Sequence, residues 1–182
     1  DIQLETEGDY TKIISESNAT TSTLGMPKLP LFTSLIEIDK GIEYSIEYEI
    51  KSSHKIKNVN IFPNQGMVNG LERSEVQDID QNYYDSNDRY PSNNAFLSEP
   101  MIMRDMVVST INIVPFHFNP ANKELNVYDM IDIEIIETGV QEDIRQRDIA
   151  KSRVFENIYK NDIVNYELSF RDEDYQQPAI LY

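Results

Sequence analysis

The stretch EYSIEYEI, residues 43–50, alternates without interruption. Tyr44, Ile46, Tyr48 and Ile50 fall on one face, and Glu43, Ser45, Glu47 and Glu49 on the other. Successive side chains of an extended backbone point to opposite faces, so this period of two fits a half-buried strand and not an amphipathic helix. MIDIEIIE, residues 130–137, repeats the pattern, with Ile131, Ile133 and Ile135 set against Asp132 and Glu134. In KIKNVNIF the apolar positions Ile56, Val59 and Ile61 slip in phase, which predicts a bulge. LFTSLIEI, VVSTINIV and ELNVYD read as further strands, and YTKIIS as a weaker one. Asp39-Lys40-Gly41 and the run Asn119-Pro120-Ala121-Asn122-Lys123 carry turn residues between them. About seven or more short strands with turns at their ends predict an all-β chain, a β-sandwich or jelly-roll-like single domain.

Two regions depart from this pattern. Residues 64–100 are rich in Asn, Asp, Ser, Gly and Pro and predict a long polar loop, solvated or functional. After Glu137 the period changes: Val154, Phe155, Ile158, Tyr159, Ile163 and Tyr166 recur at helical spacing behind Ser152, a suitable N-cap. This predicts one short helix over roughly 153–166, after the charged connector TGVQEDIRQRDIAK. The division expected is a body over 1–150, a helix and linker over 151–170, and a separate segment over 171–182. That last segment ends on the apolar run Pro178-Ala179-Ile180-Leu181-Tyr182, which reads as half of a buried strand without its sheet. Residues 167–182 are therefore expected to form an exposed, flexible tail.

Composition removes several function classes. The net charge is −16 over 182 residues, which opposes binding to nucleic acid or an anionic membrane and favours a partner with basic patches. No cysteine is present, so the chain holds no disulfide framework, zinc–thiolate centre or cysteine nucleophile. No apolar run is long enough to span a bilayer as a helix. His54 and His117 stand far apart, without an evident partner, and read as structural. There is no phosphate-binding glycine loop, no His-x-x-x-His pair and no Gly-x-Ser-x-Gly elbow. Asp78, Asp80, Asp85 and Asp88 offer oxygen ligands without the spacing of a calcium loop. Asn18-Ala19-Thr20 matches the glycosylation sequon, a three-residue pattern that recurs by chance. No cofactor is expected, and a binding role is favoured over catalysis.

Three segments carry a resemblance. They are GMPKLP (residues 25–30), SEPMIMRDMVVSTINIVPFHFNPANKELNVYDMIDIEIIET (98–138) and FENIYKNDIVNYE (155–167). In order and spacing this set resembles the N-terminal prodomain of gingipain-type cysteine proteases, over roughly 25–170. Read physically, Pro27 and Pro30 hold the chain extended at a sheet margin, and Pro115 and Pro120 bracket an aromatic edge segment, Phe116-His117-Phe118.

The resemblance implies a carbohydrate-binding-like sandwich that helps the downstream caspase-like cysteine protease domain of the same precursor to fold, and keeps it latent until cleavage. It also implies a bacterial precursor exported through the envelope, its signal peptide removed, to the medium or the cell surface. Processing would fall at Arg171-Asp172, so that 171–182 opens the catalytic domain. An arginine presented on a rigid loop could occupy a specificity pocket like a substrate, because a guanidinium pairs with a carboxylate bidentately. Ahead of residue 145 the candidates are Arg73, Arg89 and Arg104. Arg104, in MIMRDMVV, reads as an internal ion pair with Asp105. Arg73, just past PNQGMV, is favoured over Arg89, which Tyr90-Pro91 pre-extends. The competing expectation is a non-catalytic carbohydrate-binding module, which would need exposed aromatics such as Tyr83, Tyr84 and Tyr90.

Overall fold

The structure, a computed structural model, describes residues 2–17, 19–68, 71–72, 75–140 and 152–167. Among them run β1 (Ile2–Glu7), β2 (Tyr10–Ser15), β3 (Ala19–Thr20), β4 (Pro30–Glu37), β5 (Ile42–Lys57), β6 (Met67–Val68) and β7 (Leu71–Glu72). There follow α1 (Gln81–Tyr84), β8 (Ala95–Leu97), β9 (Met101–Met103), β10 (Met106–Ile113), β11 (Phe116–Asn119), β12 (Glu124–Val140) and α2 (Arg153–Asp162). The chain is all-β, as the alternation predicts. One sheet has the order β3-β4-β10-β8, with β9 also on β10. Another has the order β11-β12-β5, and β1-β2 and β6-β7 form two-stranded ladders.

The long strands follow from uninterrupted alternation. ELNVYD and MIDIEIIE are not two strands but one of 17 residues, since nothing between Asp129 and Met130 breaks the ladder. The phase slip after Ile56 is a strand end rather than a bulge: Asn58 takes φ 61° and turns the chain out of β5. Asparagine tolerates that left-handed geometry better than most residues. Gly41 (φ 78°) closes the predicted Asp39–Gly41 turn. In the Asn119–Lys123 turn, Asn122 N donates to Asn119 Oδ1 at 2.9 Å.

Two compact units are present. The first comprises the described residues of 1–32, 47–96 and 113–134. Its core joins Leu29, Val59, Ile61, Tyr83, Val114, Phe116, Phe118, Leu125 and Val127. The second comprises the described residues of 33–46, 97–112 and 135–182. In it, alternation along β10 splits the apolar side chains: Met106 and Val108 pack with Tyr159 and Ile163, while Val107 packs with Ile36 and Ile38.

The described part of the polar 64–100 region is tied down at several points. Gln65, 4% exposed, donates to Pro63 O and Asp78 O at 3.0 and 2.7 Å and accepts from the amides of Gln77 and Asp78 at 2.7 and 2.9 Å. Asp80 caps α1 by accepting from Tyr83 N at 3.0 Å. Its own amide donates to Gly25 O at 3.0 Å, and a Cβ on Gly25 (φ 74°) would lie 2.8 Å from that nitrogen. Only glycine fits so close a backbone approach at positive φ. Polar side chains here replace the hydrogen bonds that a sheet ladder would have supplied.

Helix α2 is shorter than its periodicity predicts. Ile163, at φ −108° and ψ 116°, leaves the helix and bridges to Leu35 of β4. Ser152 occupies the predicted N-cap position, but its side chain makes no capping bond.

Candidate functional site

Arg89 sits on a pinned segment of the first unit. On the upstream side, Asn119 Nδ2 donates to both Asn87 O and Asn87 Oδ1 at 2.9 Å, and Ser86 Oγ accepts from Asp88 N at 3.0 Å. On the downstream side, Tyr90 and Phe118 exchange backbone bonds of 3.0 and 2.8 Å, adding one rung to β11. Further on, Asn94 Nδ2 donates to Val114 O and Phe116 O at 2.7 and 2.8 Å. Between these fixed points the Arg89 side chain is exposed. A backbone held on both sides loses little further entropy on binding.

His117 and Tyr128 complete the surroundings. His117 Nδ1 lies 3.0 Å from the Tyr128 hydroxyl, so this histidine has a partner that the sequence did not reveal. Burial pushes His117 below its ordinary 6.5; the Arg89 guanidinium lowers it further, and a bond to the Arg89 backbone opposes both. His54 is likewise paired, its Nδ1 2.9 Å from Asp129 Oδ1.

The aromatics that a glycan surface would use are committed elsewhere. Tyr83 is buried and donates to Phe118 O at 3.0 Å, and Tyr84 donates to Ile61 O at 2.7 Å. Burial raises both phenols, most at Tyr84. Tyr83 meets Tyr84 and Tyr90 edge to face, with ring centroids 5.4 and 6.0 Å apart. The three rings brace the Arg89 segment from within instead of forming an exposed platform.

A second constellation leads into the chain's end. Arg104 (φ 59°) turns β9 into β10, and its Nε lies 3.6 Å from Asp105 Oδ1, the ion pair read from the sequence. The Arg104 guanidinium lies over the Phe155 ring at 4.6 Å, and Tyr159 donates to Asp105 Oδ1 at 2.7 Å. Beyond the helix, Val164 N donates to Leu35 O at 2.9 Å. Asn165 clasps the backbone of Glu37 through two bonds of 2.8 Å. The chain is thus fixed up to a few residues before Arg171. Arg73, Arg171 and Asp172 lie outside the described residues, as does the predicted tail over 168–182. Arg73 follows the β6–β7 ladder, in which Met67 pairs with Glu72. Sequence reasoning missed the pinning amides Asn94, Asn119 and Asn165; the one signal was Asn119 immediately before Pro120. Among the described residues no three His, Cys, Asp or Glu side chains gather as a metal site.

Comparison with known proteins places this arrangement. Gingipain R1 of Porphyromonas gingivalis is 30% identical over 149 residues, covering 80% of this chain and 15% of the relative. Gingipain R2 of the same organism is 28% identical, covering 80% of this chain and 20% of the relative. The chain therefore spans only a small part of the relatives it matches. The solved complex of Porphyromonas gingivalis RgpB pro- and mature domains shares the fold, with TM-score 0.75 and 24% identity over 92% of this chain and 88% of that one. The structure bearing on the zymogenic latency of gingipain K from the same organism aligns with TM-score 0.59 and 15% identity, covering 76% of this chain and 81% of the other. The Propeptide_C25 family model matches residues 4–172, and the chain belongs to that family: it is a gingipain-type propeptide, non-catalytic in itself.

Proposed function

We propose that this propeptide binds the caspase-like cysteine protease domain that follows it in the precursor, assists its folding and holds it inactive until the connection is cut at Arg171-Asp172. The observation that carries the reading is the likeness, over 92% of the chain, to a propeptide solved together with its mature domain. The division that goes with it is a binding body over 1–150, a helix and linker over 151–170, and the opening of the protease over 171–182. The precursor acts outside the cell or on its surface.

Inhibition works through an arginine offered to the specificity pocket as a substrate would offer it. Arg73 is the first candidate by resemblance, and Arg89 is the second, supported by its exposure on a pinned segment. A side chain held this way fills the pocket while its backbone stays out of attack geometry. The clasp of Asn165 on β4, which holds the chain a few residues before Arg171, supports this position for the cut.

The test is inhibition of the cognate protease by the chain carrying Arg73→Ala or Arg89→Ala. A nanomolar complex corresponds to about 12 kcal/mol, and losing a pocket anchor removes at least about 2 of those. If neither substitution weakens inhibition, the arginine plug is wrong. Arg171→Ala in the precursor should leave it uncleaved; maturation at the usual rate would move the processing site elsewhere.

A further inference from the structure

Strand β5 is 16 residues long and lies at the margin of the order β11-β12-β5. Among the described residues, no bridge or backbone bond from outside its sheet reaches 43–57. From Glu49 to Lys55 both of its faces are exposed. A long strand edge with unpaired amides and carbonyls is a template for another strand, and proteins usually blunt such edges with scattered lysines, proline or bulges. Here the charges are ordered instead. Glu43, Glu47 and Glu49 occupy the first half of one face, and Lys51, Lys55 and Lys57 the second half of the same face.

We infer that β5 is a self-pairing edge, whose occupant is β5 of a second copy of this chain, antiparallel about a two-fold axis at Ile50. That register sets Glu43 opposite Lys57, Ser45 opposite Lys55, Glu47 opposite Ser53 and Glu49 opposite Lys51, each pair occurring twice. No like charges meet. Glu43 is in none of the ion pairs among the described residues, and Lys57 acts only through its charge on Glu124, which is already paired with Lys55. On the other face Ile50, 38% exposed, meets its own copy. Moving the axis by one residue sets Glu49 against Glu49 or Lys51 against Lys51. An axis at Ser52 also opposes unlike charges, but it engages only 47–57. Parallel pairing in register puts every charge against its own sign, and like charges directly opposed are unfavourable. A two-fold interface requires one surface to complement itself, and this order of charges does so.

The inference is independent of the inhibitory role. Its test is sedimentation equilibrium of the 182-residue chain at about 0.15 M ionic strength, where repulsion between two copies of charge −16 is screened beyond about 8 Å. Reversible dimerisation in the micromolar range is expected. Lys57→Glu turns two attractions into two repulsions and should weaken it about tenfold, as should Glu43→Lys. Equimolar mixing of these two variants should restore a heterodimer, because each then meets its opposite, and unchanged thermal melts would show that both remain folded. A chain that stays monomeric up to about millimolar concentration overturns the inference. So does failure of the mixed pair to recover, or recovery with Glu47→Lys in place of Glu43→Lys, which would move the axis. A monomer whose affinity for the downstream enzyme falls with Lys57→Glu would assign the edge to that enzyme and overturn it as well.

Discussion

Tyr159 of α2 donates its hydroxyl to Asp105 Oδ1 at 2.7 Å, and both side chains are almost wholly buried. Burial first, then the bond to Asp105, raises the phenol far above its ordinary range, so it stays a donor at any working pH. The pair joins a helix to the turn between β9 and β10. Tyr159→Phe keeps the ring packing with Phe155 and Tyr166 but leaves the carboxylate without its shortest bond. It should cost about 1–3 kcal/mol of unfolding free energy, read from the shift of a urea transition. Tyr159→Ala should cost about 3–5 kcal/mol, since the ring is lost too. A Tyr159→Phe transition that does not move would show that the bond contributes nothing.

Gly25 is the second point of weakness. At φ 74° with Asp80 N 2.8 Å from the place of a Cβ, alanine has to displace backbone. Gly25→Ala should destabilise the chain by at least about 1–3 kcal/mol, whereas Gly8→Ala, strained but with open space, should cost less. Thermal unfolding of both variants gives the comparison.

The lowered His117 fixes a direction of pH dependence. Its folded-state value lies below the ordinary 6.5, chiefly through burial and then through Arg89. The unfolded chain therefore binds the proton more readily, and stability falls as pH drops from about 6.5 toward the folded-state value. His117→Gln should flatten that part of the stability profile. Proton NMR of the imidazole should show a midpoint below 6.5 that rises in Arg89→Ala. A midpoint unmoved by Arg89→Ala would show that the two groups do not interact.

The clasp of Asn165 on Glu37 predicts a local effect. Asn165→Ala removes two backbone bonds of 2.8 Å beside the Leu35–Ile163 bridge. Hydrogen exchange at Val164 N, which donates to Leu35 O, should speed up several-fold while core amides of β10 stay unchanged. Unchanged exchange at Val164 would mean that the bridge alone holds the segment.

These relationships divide by how far each was legible in the sequence. Period-two alternation identified β5 and β12, because a strand half exposed to water writes its pattern directly into the chain. It did not show that ELNVYD and MIDIEIIE form one strand, since a continuous ladder leaves no punctuation to read. The partial burial of Tyr44 and Tyr48 was legible; the exposure of both faces from Glu49 to Lys55 was not, because it depends on what lies opposite. The 64–100 region misled, since polar composition looks the same whether the side chains meet water or, as with Gln65 and Asn94, buried backbone. Helix α2 ended early because the β4 edge captured Ile163, a tertiary bond with no local signal. Arg104-Asp105 was legible as a pair, but Tyr159, 54 residues away in sequence from Asp105, was not. The ordered motif set pointed to the family, and the match over 4–172 shows it.

The central claim is that this body grips the enzyme that follows it. The most direct measurement is titration of the purified chain against the mature protease domain, following peptide hydrolysis and complex formation together. The account predicts one-to-one inhibition at nanomolar concentration, with both signals weakened at least about thirtyfold when the arginine that fills the pocket is removed, by Arg73→Ala or Arg89→Ala. Full hydrolysis with no complex at micromolar chain would contradict it.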